Sequence, residues 1–337
     1  MNESRLILLP NWLGDAVMAE PAIRGMAEQL NDLPLIAAGP AVATSVLKAV
    51  PGIEEVITIN DRGLLGPFRA GKHLRTYNPQ EVVLFRNSTR SALVAKASKA
   101  RTRIGYRKDG RGHMLTTAIT PPKKSSPVSA VHYYADLVEQ GLGISVEDRT
   151  PRFTIESQEL ERAKEILLGI NGPMVGMVPG GSKLPKRWPP DRFAQVAQAL
   201  HEMYGASTIL LGSPDEHEVM DSILNSAGTP SWMFNASERG LHLADLRGVI
   251  SRLSLLITND TGPRHIAAAC GTPTIALFGP TDHRWTILPK VPERMLISEP
   301  FLDDDHLADH HPQTCRIDRI STGDVVFHAQ SILDEEN

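Results

Sequence analysis

The sequence predicts an α/β protein with two doubly wound parallel sheets, and three observations support this fold class. Short apolar stretches of strand length alternate with amphipathic stretches of helical length along the chain. The chain has 337 residues, which on a prior of roughly 150 residues per domain favours two domains. A polar, Pro-containing passage at residues 146–158 separates two alternating halves. We therefore predict Rossmann-like domains at residues 1–155 and 156–337 that face each other across a cleft, with the C-terminal segment free to pack back on the first.

The individual elements follow from this alternation. In the first half the predicted strands are RLILLP (5–10), LPLIAAG (33–39), EEVITIN (54–60) and EVVLFRN (81–87), and the predicted helices are AVMAEPAIRGMAEQL (16–30) and SALVAKASKA (91–100). In the second half the predicted strands are MVGMVP (174–179), STILLGS (207–213) and LSLLI (253–257), and the predicted helices are 192–205, 217–224 and 242–254. Both halves begin with a strand, a Pro, a polar loop and an amphipathic helix. Because open α/β sheets bind ligands at the carboxyl ends of their strands, we expect one ligand in each half.

Composition narrows the class of protein. With 41% hydrophobic and 22% charged residues, the chain is typical of a globular protein. It has only two cysteines, so we expect no disulfide framework and a reducing, cytoplasmic compartment. The N-terminal apolar run is shorter than the core of a signal peptide, and we expect no membrane span. No GxGxxG pattern follows a predicted strand, which argues against a dinucleotide dehydrogenase.

Positive charge is concentrated in the first half, although the whole chain carries a formal charge of -4. Residues 1–150 contain 19 Lys and Arg against 14 Asp and Glu, and the remainder contains 16 against 25. Nine of these cations lie between Arg86 and Arg111, opposed only by Asp109. Such a stretch is either a solvated face or a surface for an anionic partner, and we favour the partner. Nucleic acid is not expected, because only 5% of residues are aromatic and no nucleic-acid-binding motif is present.

Polar loops at strand ends carry the candidate chemistry. In NWLGDAV, residues 11–17, Gly14 permits an unusual backbone angle, and Asp15 enters the first turn of a helix as a cap, as a catalytic group, or as both. In GGSKLPKRWPP, residues 180–190, a Gly-Gly turn precedes a hydroxyl and several cations, a combination that suits a phosphate. The candidates in this loop are Gly180, Gly181, Ser182, Lys183 and Lys186.

Two further loops follow strands of the second half. TNDTGPRH, residues 258–265, lies where a strand ends and a helix begins, and the unpaired N–H groups of a first helical turn bind phosphate well. The alternative is that Asp260 or Thr261 only caps this helix. GSPDEHE, residues 212–218, offers Glu218 either to ribose hydroxyls or merely to the start of a helix.

Four stretches resemble, in the same order, the ADP-heptose:lipopolysaccharide heptosyltransferases, glycosyltransferase family 9, and most of all their heptosyltransferase II branch. These are LPNWLGDAVMAEPAIR (9–24), NSTRSALVAKASKARTRIGY (87–106), PGGSKLPKRWPPDRFAQVA (179–197) and TNDTGPRHIAAACGTPTIALFGPT (258–281). The resemblance covers nearly the whole chain and implies the GT-B architecture. It also implies inverting transfer of L-glycero-D-manno-heptose from ADP-heptose to the inner core of lipopolysaccharide, without a structurally bound metal or other cofactor.

The resemblance also implies roles for individual residues. Asp15 matches the Asp of the family's Gly-Asp motif and is expected to be the general base. Lys186 matches the Lys of the Lys-x-Trp-Pro motif and is expected to hold the donor diphosphate. The family's Asp-Ser/Thr-Gly-x-x-His loop, which binds diphosphate and sugar, is matched by Asp260, Thr261, Gly262 and His265. Contacts to the acceptor are expected from Asn11, Arg86, Asn87, Arg90 and Arg107.

The chain departs from the family pattern at two places. Pro263 and Arg264 stand where relatives have two apolar residues, so we expect Arg264 to add a cation beside the donor. Near the C-terminus the Asp- and His-rich segment 303–311 replaces a cysteine-rich segment of many relatives. His306 and His310 are spaced by one helical turn, but the segment has no recognisable metal motif, and a solvated loop is favoured.

The implied partners are an ADP-heptose donor and an acceptor of the lipid A-Kdo-heptose type. We expect a monomer at the inner face of the cytoplasmic membrane, held partly by the basic stretch. Three alternatives stay open: a heptosyltransferase I or III role, another GT-B enzyme such as a different sugar transferase or a nucleotide-sugar epimerase, and a non-catalytic sugar-nucleotide-binding protein. A binding protein would not need Asp15.

Overall fold

The computed structural model describes residues 3–48, 50–123, 126–298, 302 and 306–336. The chain forms two compact units. The first comprises Met1–Phe153 and the short stretch Trp285–Pro289, and the second comprises Thr154–Arg284 and Lys290–Asn337. No helix among the described residues is long and apolar enough to cross a membrane.

The first unit contains a six-stranded sheet with helices between the strands. Its strands are β1 (Ser4–Leu8), β2 (Leu35–Gly39), β3 (Ile53–Thr58), β4 (Pro79–Leu84), β5 (Thr102–Tyr106) and β6 (Thr117–Ile119). Its helices are α1 (Leu13–Met18), α2 (Glu20–Gln29), α3 (Ala41–Leu47), α4 (Gly66–Leu74), α5 (Thr89–Ala97) and α6 (Ala130–Leu142). The central strands β1 and β2 are buried along their whole length, which explains why they appear as continuous apolar runs rather than as alternating patterns.

The second unit repeats this construction. Its strands are β7 (Met174–Val178), β8 (Ser207–Leu210), β9 (Met233–Asn235), β10 (Leu255–Asn259), β11 (Thr274–Phe278) and β12 (Glu293–Ile297). Its helices are α7 (Ser157–Ile166), α8 (Pro190–Tyr204), α9 (His217–Ser226), α10 (Leu246–Ile250), α11 (Gly262–Cys270) and α12 (Thr322–Glu336). Short 3₁₀ turns at Leu184–Lys186 and Pro214–Glu216 precede α8 and α9.

The two sheets have the same strand order. The first runs β3-β2-β1-β4-β5-β6 and the second, read from the matching edge, runs β9-β8-β7-β10-β11-β12. All ten strand pairs described are parallel. In such a sheet the order reverses in the middle, between β1 and β4 and between β7 and β10, and the loops that leave these strands open a crevice there. Each unit therefore has one crevice of the kind that binds ligands in doubly wound folds.

The structure differs from the predicted elements at several places. The helix predicted over residues 242–254 is a 3₁₀ turn at Leu243–Asp245 followed by the short α10 (Leu246–Ile250). The helix predicted over residues 16–30 is two helices, α1 and α2, that meet at Ala19 with Pro21 in the first turn of the second. Pro lacks an N–H donor and its ring clashes with the preceding turn, so a new helix begins there. The C-terminal helix α12, which we had allowed to pack on the first domain, packs against α8 in the second unit through Val325 and Ala329.

Candidate active site

Asp15 lies in the crevice of the first unit, at the carboxyl end of β1. The residue before α1, Trp12, has an extended backbone and makes no side-chain cap, and Asp15 occupies the first helical turn. Among the described residues no hydrogen bond or ion pair reaches the Asp15 carboxylate, so it is not used as a cap. Burial raises the pKa of Asp15 from its ordinary value of 3.8 to about 6. A half-buried carboxylate without a structural partner, and with a pKa near neutrality, suits a general base.

The neighbouring strand β4 brings Arg86 to the same crevice. Arg86 Nη2 lies 2.8 Å from the Asp61 carboxylate, and its Nη1 donates to Asn11 Oδ1 at 3.0 Å. The Arg86 side chain is buried. This pair of contacts holds the loop between β1 and α1, so Arg86 positions the turn that carries Asp15 rather than presenting a free charge.

The other predicted acceptor residues differ in how they are used. Arg90 is exposed, and its Nη1 donates to the carbonyl oxygens of Asp61 and Gly63 at 2.5 and 2.8 Å. Asn87 donates to the Tyr133 hydroxyl at 2.8 Å. Arg107 is fully on the surface. Their roles toward an acceptor stay predictions.

Arg111, the last cation of the basic stretch, is completely buried and is not part of a charged surface. Its guanidinium donates to the Tyr106 carbonyl at 3.0 Å, the Ser91 hydroxyl at 3.0 Å and Asn87 Oδ1 at 3.0 Å, and also to the Arg86 carbonyl. Burial lowers the pKa of Arg111 to about 10. We had counted Arg111 among cations for an anionic partner, but its donors are used to join the ends of β4 and β5.

In the second unit, the Gly-Gly turn after β7 is held by a carboxylate that the sequence did not single out. Glu216 Oε1 accepts the Gly181 N–H at 2.9 Å, while its other oxygen accepts the Ser213 N–H at 2.9 Å. A Cβ on Gly180 would lie only 1.9 Å from Glu216 Oε1, so this close approach requires glycine. Glu218, the acid of this loop that the sequence offers either to ribose hydroxyls or to the start of a helix, is exposed in the first turn of α9. Ser182 and Lys183 are also exposed.

Asn259, the last residue of β10, joins the two loops of this crevice. Its Nδ2 donates to the carbonyl oxygens of Pro179 and Gly180 at 2.8 and 3.0 Å, and its Oδ1 accepts the Trp188 N–H at 3.2 Å. Trp188 is fully buried and donates its Nε1–H to the Ile320 carbonyl at 3.0 Å. The polar loop that bears Lys186 is therefore anchored on both sides.

The first turn of α11 has no side-chain cap. Thr261 occupies the cap position with an extended backbone, yet within the described residues no side chain accepts from the first N–H groups of this helix. The Thr261 hydroxyl instead donates to the Asn259 carbonyl at 3.3 Å, and Asp260 Oδ1 accepts from Arg264 at 3.1 Å. Of the two alternatives for this loop, the geometry favours a site for an anion over a self-capped helix.

A chain of alternating charges lies beneath this loop. Lys186 Nζ is 4.0 Å from Asp260 Oδ2, and Arg264 binds Asp260 on one side and Glu293 on the other, with Nε to Oε1 at 2.6 Å and Nη2 to Oε2 at 2.7 Å. Burial alone would lower the pKa of Arg264, but its bonds to Glu293 and Asp260 outweigh burial and raise it. We had expected Arg264 to add a cation beside the donor. Arg264 is instead fully buried, and two carboxylates compensate its charge. Of the two cations that contact Asp260, only Lys186 is partly exposed to solvent.

His265 follows in α11 and is buried. Burial, together with the neighbouring charge of Arg264, lowers the pKa of His265 well below its ordinary value, so the imidazole is neutral. Its Nδ1 has no hydrogen-bond partner among the described residues. A buried nitrogen without a partner is costly, and a ligand hydroxyl or phosphate is one way to satisfy it.

The Asp- and His-rich segment packs on the loop after β11. The Asp309 carboxylate accepts the Asp282 N–H at 3.0 Å, and Arg284 Nη2 donates to the His306 carbonyl at 2.5 Å. Asp303, Asp304 and Asp305 lie outside the described residues. Within the part of the chain that the structure describes, no group of three or more His, Cys, Asp or Glu could hold a metal ion.

Comparisons with known proteins give one consistent result. The model of the family "Glycosyltransferase family 9 (heptosyltransferase)" matches residues 68–299. Lipopolysaccharide heptosyltransferase 2 of Escherichia coli (strain K12) is 28% identical over 295 residues, which cover 83% of this chain and 84% of the relative. The structure of E. coli ADP-heptose lipopolysaccharide heptosyltransferase II superimposes with a TM-score of 0.85 at 23% identity, covering 99% and 100% of the two chains. An E. coli heptosyltransferase with ADP gives a TM-score of 0.70 at 16% identity, covering 99% and 98%.

Proposed function

The chain belongs to glycosyltransferase family 9, the heptosyltransferases, and on that premise we propose that it transfers heptose, with inversion, from ADP-heptose to the inner core of lipopolysaccharide. The family match confirms the predicted enzyme class, and the solved structures confirm the predicted GT-B fold class with its two Rossmann-like sheets. One observation carries the proposal. Each unit has a polar group at the carboxyl end of its sheet that suits one half of the reaction: Asp15, whose pKa is raised to about 6, in the first, and the uncapped first turn of α11 in the second.

The second crevice is proposed to bind the donor. ADP carries its charge on the diphosphate, and the uncapped first turn of α11 offers N–H groups at the positive end of the helix dipole. Lys186 supplies a half-exposed cation beside Asp260. As the bond from the anomeric carbon to the diphosphate breaks, the leaving group gains negative charge, and these fixed donors stabilise it. We propose that His265 hydrogen-bonds the bound donor through its Nδ1, which has no partner among the described residues.

The first crevice is proposed to bind the acceptor sugar. The acceptor hydroxyl must lose a proton as it attacks the anomeric carbon, and Asp15 takes that proton. The pKa of about 6 keeps Asp15 ionised at neutral pH while making it a stronger base than an ordinary Asp. The exposed guanidinium of Arg107 is available to the phosphates and carboxylates of an inner-core acceptor.

The remaining expectations are part of the same proposal. Charge on the diphosphate is handled by Lys186 and by the N–H groups of α11, so we propose transfer without a bound metal. We also propose that the chain works at the cytoplasmic face of the inner membrane, because its proposed acceptor is lipid-linked. We propose further that it works as a monomer. Incubation with a series of acceptors would identify the acceptor and so decide among the heptosyltransferase roles. The exact heptose of the donor and the acceptor hydroxyl would follow from analysis of the product.

The decisive experiment is incubation of the protein with ADP-heptose and a series of truncated lipopolysaccharide acceptors, followed by mass spectrometry. We expect one heptose to be added to one acceptor of the series, with ADP released in equal amount. A parallel titration compares ADP with UDP and GDP by the rise in melting temperature. No transfer to any acceptor, or a larger rise with UDP or GDP than with ADP, would contradict the proposal.

A further inference from the structure

Three large apolar side chains of the first unit lie exposed within five residues. Leu64, Leu65 and Phe68 are exposed by 94%, 65% and 52%, and they lie in the loop before α4 and in its first turn. Residues i and i+4 of a helix lie on one face, so Phe68 and Lys72 are neighbours on α4, and Leu64 and Leu65 lie in the loop immediately before it. We call Leu64, Leu65 and Phe68 the apolar loop.

The exposure of the apolar loop is enforced by the structure around it. The Arg90 guanidinium binds the carbonyl oxygens of Asp61 and Gly63, which fixes the backbone immediately before Leu64. On the other side, α4 packs closely on α5, because a Cβ on Gly71 would lie 2.4 Å from that of Ala97. The leucines therefore project from a fixed backbone instead of burying themselves in their own unit.

The stretch of sequence that contains the apolar loop is basic, and its nearest acidic contact is Glu55, which accepts from the Tyr77 hydroxyl. From Arg62 to Gln80 the sequence contains no Asp or Glu. The exposed cations of this stretch are Arg62, Arg69, Lys72 and Arg75. Asp61, the nearest acid before it, is buried and paired with Arg86. Apolar side chains ringed by cations match the two layers of an anionic bilayer, where headgroups are negative and the acyl boundary is apolar.

We propose that the apolar loop and its four cations are the membrane-docking surface of this protein, and that Leu64, Leu65 and Phe68 insert into the headgroup boundary of an anionic bilayer. This inference rests on the proposed function, because the lipid-linked acceptor proposed there resides in such a bilayer. The surface is also joined to the first crevice, because Asp61 binds Arg86 and Arg86 binds Asn11 four residues before Asp15. Docking thus presents the acceptor crevice close to the membrane.

Vesicle flotation tests this surface without using the reaction. The full-length protein is mixed with vesicles of equimolar phosphatidylethanolamine and phosphatidylglycerol, or with vesicles of phosphatidylcholine alone. We expect binding to the first and little to the second. Leu64→Ser/Leu65→Ser should lower the partition coefficient by about tenfold or more, because apolar burial is lost. Arg69→Gln/Lys72→Gln should lower it by about fivefold for each cation.

Matched variants of equally exposed residues control for loss of apolar area or charge in general. Leu168→Ser and Phe327→Ser remove side chains of the second unit that are 78% and 66% exposed, and Lys48→Gln/Arg252→Gln removes two exposed cations elsewhere. These controls should float like the unchanged protein. Unaltered flotation of Leu64→Ser/Leu65→Ser, or an equal loss in the controls, overturns the proposal.

The same variants separate this inference from the proposed function. With ADP-heptose and a deacylated, water-soluble core fragment, Leu64→Ser/Leu65→Ser should retain the turnover of the unchanged protein. If heptose transfer fails for every protein while the flotation differences appear, the docking surface stands and the proposed function falls. If transfer occurs but no protein floats with anionic vesicles, the docking surface is wrong and the proposed function remains.

Discussion

Arg264 and Glu293 form a buried two-point ion pair between α11 and β12, and the same guanidinium reaches Asp260 in the donor loop. The Arg264 Cζ atom also lies 4.7 Å from the centre of the Phe278 ring. Asp260, at the start of the loop between β10 and α11, is thus held by a buried cation that is itself fixed by Glu293.

Arg264→Met should destabilise the protein by about 3–5 kcal/mol, because it leaves Glu293 buried without a cation. Arg264→Met/Glu293→Gln removes both charges and should recover most of the lost free energy of unfolding. Urea unfolding of the two variants measures the difference. Equal stability of the two would mean that Glu293 does not depend on Arg264.

Asp15→Asn should lower turnover by about 10²-fold or more, since the amide cannot accept the proton. The same change should raise the free energy of unfolding by roughly 1–3 kcal/mol at pH 8, because the half-buried carboxylate is costly when ionised. The pKa of Asp15 is raised in the folded state, so the gain is complete above about pH 6 and disappears as the pH falls toward 3.8. Urea titrations at pH 8 and pH 4 measure it, and a variant that is inactive but no more stable would indicate that Asp15 is not buried as described.

The pH dependence of kcat/KM gives an independent measurement. Only ionised Asp15 accepts a proton, so activity should fall about tenfold per pH unit below about pH 6 and be level above it. The residual activity of Asp15→Asn should lack this step. If kcat/KM fell at the same pH in the unchanged protein and in Asp15→Asn, the group that titrates would not be Asp15.

Gly180→Ala should weaken ADP binding by about tenfold or more. The added Cβ would displace Glu216, which holds the Gly181 N–H, and the turn beneath the donor would shift. Gly323→Ala is the matched control, because a Cβ at Gly323 lies 3.7 Å from its nearest neighbour. Calorimetric titration with ADP of both folded variants decides whether the Gly-Gly turn matters to the donor.

The variants Lys186→Gln and Lys183→Gln distinguish the two lysines of the loop between β7 and α8. Lys186 lies 4.0 Å from Asp260, whereas Lys183 is exposed in the same loop. Loss of a charged hydrogen bond, about 1.5–3 kcal/mol, should weaken ADP binding by roughly 10- to 100-fold for Lys186→Gln. Lys183→Gln should change it by less than threefold or so. An equal loss of ADP affinity in the two variants would mean that the loop attracts ADP through its overall positive charge and not through a specific contact of Lys186.

The positions of the polar loops could be predicted from the sequence because strand ends and helix starts are local features. Lys186 and Asp260 each follow an apolar strand of the second sheet, and neighbouring parallel strands bring their loops to the same edge; Asp15 follows an apolar strand of the first sheet in the same way. Glu216 was missed in favour of Glu218, although Ser213 three residues before Glu216 forms the pattern of a capping box. The capping-box pattern identifies Glu216 as the acid whose side chain turns back to the loop, whereas Glu218 is exposed to solvent.

Arg111 and Arg264 could not be placed from the sequence. Each has one partner nearby in sequence, Tyr106 for Arg111 and Asp260 for Arg264, but the others lie far along the chain, Arg86 and Asn87 in one case and Glu293 in the other. Nothing in the local pattern distinguishes a buried Arg that binds carbonyl oxygens from a surface Arg that binds phosphate. The burial of such a cation depends on tertiary contacts that appear only in the fold.

The exposed position of Trp12 gives the acceptor crevice a native optical reporter. Trp12 is 69% exposed three residues before Asp15, whereas Trp188 is sealed in the core of the second unit with its indole nitrogen bonded to Ile320. A small collisional quencher in water therefore reaches the excited state of Trp12 but not that of Trp188. Trp232 and Trp285 are partly exposed and would also be quenched, so a Trp232→Phe/Trp285→Phe variant isolates the signal of Trp12. In that variant, binding of a sugar acceptor over Trp12 should shield its fluorescence from the quencher, so occupancy of the crevice can be followed by light emission without an added label.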